Sequence, residues 1–155
     1  MRNKIILFFL LIVSVLAFLG SCQSEEQITY ARYYVNGKQL YEQHCQNCHS
    51  SDGKGLGNLY PPLTDTVFIK KNKDGLACII KYGMSGPVTV AGKVYDTEMP
   101  AESTMPDIEI AALVTYITNS FGNKHGLYDA EAAGNDLKRC LEESKPKQIE
   151  VPEAK

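Results

Sequence analysis

The chain has 155 residues, 44% of them hydrophobic and 22% charged, which allows one domain of ordinary size. Of its 16 Lys and Arg, only Arg2 and Lys4 fall in residues 1–22, and none of its 18 Asp and Glu does, so the remainder carries a formal charge of −4. That acidic balance excludes nucleic acid as a natural partner, and both ends differ in composition from the middle.

Arg2 and Lys4 precede an apolar run from Ile5 to Leu19 broken only by Ser14. The run is short for a membrane span, and residues 1–21 read as a secretory signal. It ends at Leu19-Gly20-Ser21-Cys22, which resembles a bacterial lipobox, where cleavage before the cysteine is followed by lipid attachment to its thiol. An uncleaved anchor helix is the alternative. Either reading places the domain in the cell envelope, held to a membrane and facing the periplasm or exterior. Residues 22–35 begin with the polar Gln23-Ser24-Glu25-Glu26-Gln27 and are expected to be a tether, unless Tyr30, Tyr33 and Tyr34 pack on the domain.

A helical pattern begins at Asn36, with Leu40 and Tyr41 leading into Cys45-Gln46-Asn47-Cys48-His49. C-x-x-C-H is the attachment sequence of c-type haem. In a helical turn, positions i, i+3 and i+4 share one face, so two thiols reach the haem vinyl groups while His49 approaches the iron. A thioredoxin-like pair would need a surrounding βαβ pattern, and a zinc site would need a second ligand pair; the sequence offers neither. The glycine-rich loop Ser50–Asn58 follows no strand and lacks a Gly-Lys-Ser/Thr signature, which excludes a phosphate loop.

Tyr60-Pro61-Pro62-Leu63 is expected to form an extended corner. Asp74 is placed to cap a helix from about Gly75 to Tyr82, with Leu76, Ile79 and Ile80 inside and Gly83 as terminator. Val88-Thr89-Val90 and Val94-Tyr95 read as a small β-hairpin across Ala91-Gly92-Lys93. Thr104-x-x-Asp107 resembles a capping box, Pro106 sits in the first turn, and Ile110, Leu113, Val114 and Ile117 form an apolar stripe ending by Gly122. Residues 129–143 suggest one more helix, and the charged, proline-containing end from Ser144 to Lys155 is expected to be disordered. Cys78 and Cys140 are left over; they form a disulfide, or Cys78 is a small buried apolar residue.

If the iron only exchanges electrons it needs a second axial ligand. The candidates are Met99, which precedes Pro100 in an extended segment, then Met105, Met84 and His125; His44 adjoins Cys45 and is badly placed to reach the opposite face. From Asn36 to Gly122 the chain resembles the class I c-type cytochromes, small all-α proteins in which helices wrap one haem. It is most similar to bacterial cytochromes and cytochrome domains found with dehydrogenases and nitrite reductases. The resemblance rests on Gly86-Pro87-Val88-Thr89-Val90-Ala91-Gly92-Lys93, on Met99-Pro100, on Asp107–Ile117 and on Asn119-Ser120-Phe121-Gly122. It implies thioether bonds at Cys45 and Cys48, axial ligation by His49 and Met99, and a Pro61 carbonyl holding the histidine ring. It also implies that Gly37 and Tyr41 cross the last core helix at Leu113 and Tyr116. The segment after Met99 is about one residue short of the family pattern, which keeps Met105 open.

The domains expected on this basis are a signal peptide over 1–21, a lipid-anchored tether over 22–35, a cytochrome domain over 36–122 and a C-terminal helix with tail over 123–155. The implied cofactor is one covalently bound haem c with iron, and the implied function is one-electron transfer between redox protein partners, without catalysis of bond making. A gas-binding or sensing haem protein with an open sixth iron position is the alternative. Lys54, Lys70, Lys71, Lys73, Lys81 and Lys93 contrast with Asp96, Glu98, Glu102, Asp107 and Glu109 near Met99, which suggests charge-steered docking.

Overall fold

The computed structural model describes residues 2–19 and 24–143. The lipobox-like Gly20-Ser21-Cys22 and the tail from Ser144 lie outside the described residues. Helix α1 spans Arg2–Leu19, and its large apolar side chains from Ile5 to Ile12 are exposed. Among the described residues no helix is long and apolar enough to cross a membrane.

Helix α2 runs over Glu25–His44, so residues 25–35, expected to be a tether, are helical. Ser24 starts it: the side chain accepts from the Gln27 N–H at 3.3 Å, and Glu25 and Glu26 in the first turn complement the helix dipole. The polar cluster is thus a helix start of the Ser-x-x-Gln kind. Packing then holds the segment, because the Tyr34 hydroxyl lies 3.1 Å from Ser120 Oγ and the Tyr33 hydroxyl accepts from the Ala130 N–H.

After Cys45 comes the single turn α3, Gln46–His49. Helix α4, Thr66–Lys71, has no counterpart in the sequence reading. Asp65 caps it, accepting from the Val67 and Phe68 N–H groups, and reaches across to accept from the Ala91 N–H at 2.8 Å. Helix α5 is Leu76–Tyr82. It follows a tight turn over Lys73–Gly75 and starts at Gly75 without a side-chain cap, so Asp74 does not cap it. Gly83, at φ 74°, ends it as expected.

Strands β1, Val88–Val90, and β2, Lys93–Tyr95, pair antiparallel with Val88 opposite Tyr95 and Val90 opposite Lys93. Ala91 and Gly92 both have positive φ, the requirement of a two-residue turn that matches strand twist, so β2 starts one residue earlier than expected. Helix α6, Asp107–Ile117, is buried throughout from Ile110. The capping box does not form: Pro106 precedes the helix, no side chain caps it, and the helix ends at Ile117 rather than near Gly122. Helix α7 covers Ala130–Glu143.

The core is the crossing of α2 over α6. A Cβ on Gly37 would collide with the Ala112 carbonyl and stand 2.9 Å from Tyr116 Cβ, so only glycine permits this approach. The nearest atoms belong to the Ala112 backbone and to Tyr116, so the helices meet backbone to backbone with Tyr116 at the crossing as expected. Tyr41 fills the crossing, its ring 5.3 Å from those of both Tyr116 and Phe121. Tyr116 is a core residue.

Candidate functional site

The C-x-x-C-H turn sits where α2 ends. The Cys48 and His49 N–H groups both donate to the Cys45 carbonyl, which puts the three side chains on one side of the turn. The glycine-rich loop then doubles back. Gly55 N–H donates to the His49 carbonyl at 2.9 Å, Leu63 N–H to the Gly53 carbonyl at 2.7 Å, and Ser50 Oγ to the Gly55 carbonyl. Gly53 at φ 70° and Gly55 at φ 71° lie where Phe121 and the Tyr60–Pro61 backbone leave no space for a Cβ. The loop therefore delivers the Pro61 carbonyl to the histidine.

His49 Nδ1 lies 3.0 Å from the Pro61 carbonyl oxygen. A carbonyl only accepts, so Nδ1 carries the proton and Nε2 is left with a free lone pair. Burial lowers the His49 pKa, an effect the Pro61 carbonyl opposes, and the ring is neutral near pH 7. Burial, with Glu102 and Cys48 adding to it, pushes the Cys45 thiol up to about 12. Such a thiol is not the activated nucleophile of a dithiol oxidoreductase, and Cys45 and Cys48 are not bridged.

Cys45 and His49 open onto a cavity. Its walls are apolar: Phe68 and Ile69 from α4, Leu76, Ile79 and Ile80 from α5, Val88 and Val90 from β1, and Ile117 from α6. His49 and Pro61 line it, as do Met84 and Met99. The two methionines exchange both backbone hydrogen bonds, at 3.0 and 2.9 Å, in an isolated antiparallel bridge. An adjoining recess carries Cys48, Tyr60, Tyr95 and the Thr97–Pro100 segment, and shares His49, Met84 and Met99.

The structure thus brings Cys45, Cys48, His49 and Met99 to one place. Met105 is buried in the core and lines neither space. His44 faces Glu102 at 3.3 Å, and His125 lines an open cleft with Lys70 and Lys71. Among the described residues no three His, Cys, Asp or Glu side chains cluster as metal ligands, so the zinc alternative lacks a donor set. A flat apolar cofactor carrying iron fits better: two thiols, a neutral imidazole, thioether sulfurs and hydrocarbon walls.

The sequence profile of the family "Cytochrome c" matches residues 34–120. The chain belongs to the cytochrome c family. The fold is that of a class I c-type cytochrome, and the cofactor is covalently bound haem c with its iron. Cytochrome c-552 of Thermus thermophilus is 32% identical over 93 residues, 57% of this chain and 70% of that protein. The cytochrome c subunit of a quinone-dependent alcohol dehydrogenase from Gluconacetobacter polyoxogenes is 31% identical over 97 residues, and the fructose dehydrogenase cytochrome subunit of Gluconobacter japonicus 31% over 102. The match takes in only 19% and 21% of those two subunits.

What the sequence reading missed are α4, which supplies Phe68 and Ile69, and Met84 as the strand partner of Met99. Thr66–Lys71 is too short to show a period, though Asp65 before it was a readable cap.

Proposed function

We propose that this chain carries single electrons between extracytoplasmic redox partners through one haem attached at Cys45 and Cys48, with His49 and Met99 as axial ligands of its iron. The observation that carries the reading is the His49–Pro61 hydrogen bond beside an apolar cavity that Met99 also lines. When bound, the haem supplies an iron that changes oxidation state by one electron. The protein does the rest. Pro61 fixes the imidazole tautomer and keeps Nε2 available as a donor, the role usual for the hydrogen-bonded partner of a metal-ligating histidine. The α4, α5 and β1 walls would keep water from the haem, and the Met84 bridge holds the Met99 segment at the cavity that His49 also lines.

Electron exchange with a protein partner is supported by the relatives that are dehydrogenase cytochrome subunits. Asp96 and Glu98 are exposed beside Met99, so a charge-steered encounter on that side fits the acidic balance of the chain. The apolar Ile5–Leu19 run and Leu19-Gly20-Ser21-Cys22 support a lipid on Cys22 that holds the domain to a membrane, facing the periplasm or exterior. A Cys22→Ala chain that still fractionates with membranes would contradict the lipid anchor.

Mass measurement of the denatured full chain tests the attachment. The expected result is one haem that survives denaturation in the wild type and is lost when Cys45 and Cys48 are both replaced by Ala. Haem lost from the unfolded wild type would overturn the assignment.

A further inference from the structure

Helix α7 lies outside residues 34–120, the stretch matched to the family, yet it grips the cavity wall that carries the methionine segment. Cys78 of α5 is bridged to Cys140 of α7, their Cα atoms 6.3 Å apart. One residue before, the Arg139 guanidinium pairs with Asp136 at 2.8 Å and donates to the Asp74 carbonyl, just ahead of α5, at 2.8 Å. Asp136 is buried and accepts from the Tyr128 hydroxyl at 2.7 Å. Tyr128 is in turn tied to α6, since Thr115 Oγ1 donates to its carbonyl and accepts from its N–H. Helix α7 is thus anchored on α6 and bonded covalently to α5.

Helix α5 has seven residues, too few to hold its position without tertiary support. Its other face is the cavity wall, through Ile79 and Ile80. Its last turn sets the chain that bears Met99. The Ile80 carbonyl accepts from the Glu102 N–H at 2.9 Å, Lys81 Nζ donates to the Met105 carbonyl, and Met84, just past Gly83, forms the bridge with Met99. Gly83 leaves no slack, because a Cβ there would stand 2.5 Å from the Met99 carbonyl oxygen. A shift of α5 is passed directly to Met99.

We propose that α7, through the Cys78–Cys140 disulfide, is a positioning element for the Met99 side of the haem cavity: it holds α5 so that Met99 stays in place, and without it external ligands gain access to the iron. The proposal rests on the reading of Met99 as axial ligand. Electron transfer gives neither cysteine any other task.

The test compares the haem-loaded full chain with Cys78→Ser/Cys140→Ser. The readouts are the methionine-to-iron charge-transfer band, imidazole affinity of the oxidised form, CO binding rate of the reduced form, and hydrogen exchange of the Met84, Met99 and Glu102 amides. The expected result is imidazole binding at least tenfold tighter, faster CO binding, and exchange of those three amides at least tenfold faster in the variant. Unchanged ligand binding and exchange, even with a lower urea midpoint, would reduce the bond to a staple and overturn the proposal. Should the variant fail to load haem, the bond is opened in the loaded wild type with a phosphine reductant, alkylated, and read the same way. A wild type that has the band beside an unchanged variant sinks the positioning role alone. A wild type without the band sinks the Met99 assignment, and the proposal with it.

Discussion

Gly37→Ala tests the central packing contact, because the added methyl meets atoms that cannot turn aside. Its Cβ would lie 2.5 Å from the Ala112 carbonyl carbon and 2.9 Å from Tyr116 Cβ, with the Ala112 carbonyl oxygen closer still. These are backbone and Cβ positions, so relief requires α2 and α6 to separate. Overpacking of this kind costs about 1–3 kcal/mol, and a rigid obstacle puts it near 3. Alanine recovers about 1 kcal/mol of helix propensity, leaving a net loss of about 2 kcal/mol. The assay is urea unfolding of the haem-loaded protein, compared at constant slope. Gly134→Ala in α7, where a Cβ meets nothing within 4 Å, isolates the propensity gain and is expected to stabilise. A Gly37→Ala midpoint equal to or above that of the wild type would refute the close-crossing argument.

Three further outcomes are expected. Asp65→Ala removes the cap of α4 and its tie to Ala91, and lowers stability at pH 7 by about 0.5–2 kcal/mol in urea titrations. The Phe68, Ala91 and Val67 N–H groups hold the Asp65 carboxyl below the usual carboxylate range. Its contribution is therefore complete above pH ~4 and fades as pH falls through the lowered folded value, so the wild type and variant converge in acid. Equal acid sensitivity of the two across that window would contradict this. Loss of the Cys78–Cys140 bond, which spans a sequence separation of 62, costs ~4 kcal/mol on the chain-entropy account; a urea midpoint that does not move would exclude it. A rate of electron exchange with a redox partner that does not vary with ionic strength would remove charge steering from the account.

The haem-binding turn was readable because its chemistry is local: C-x-x-C-H within one helical turn leaves little choice of cofactor. The hairpin and α6 were readable for the same reason, one from a turn that needs positive φ at Gly92 and one from an apolar stripe. Residues 25–35 read as a tether unless their tyrosines pack on the domain, and the structure shows the packed alternative, within helix α2. Ser24, Glu25, Glu26 and Gln27 are equally polar as a tether and as a helix start, and only the packing of Tyr33 and Tyr34 on distant residues decides between them. The Asp74 cap and the Thr104 box failed because other turns carry the chain into α5 and α6. The Met84 partnership and the hold of α7 on α5 are contacts between segments far apart in sequence, and no local pattern announces them.

Optical spectra of the haem-loaded full chain decide whether Met99 ligates the iron, taken oxidised and reduced, with CO, and after Met99→Ala with Met84→Ala as control. With His49 and Met99 as axial ligands the spectrum is low-spin, carries the methionine-to-iron band and is indifferent to CO; the band is lost in Met99→Ala and kept in Met84→Ala. A high-spin spectrum in the wild type that shifts readily with CO would contradict it and put a gas-binding iron site in its place.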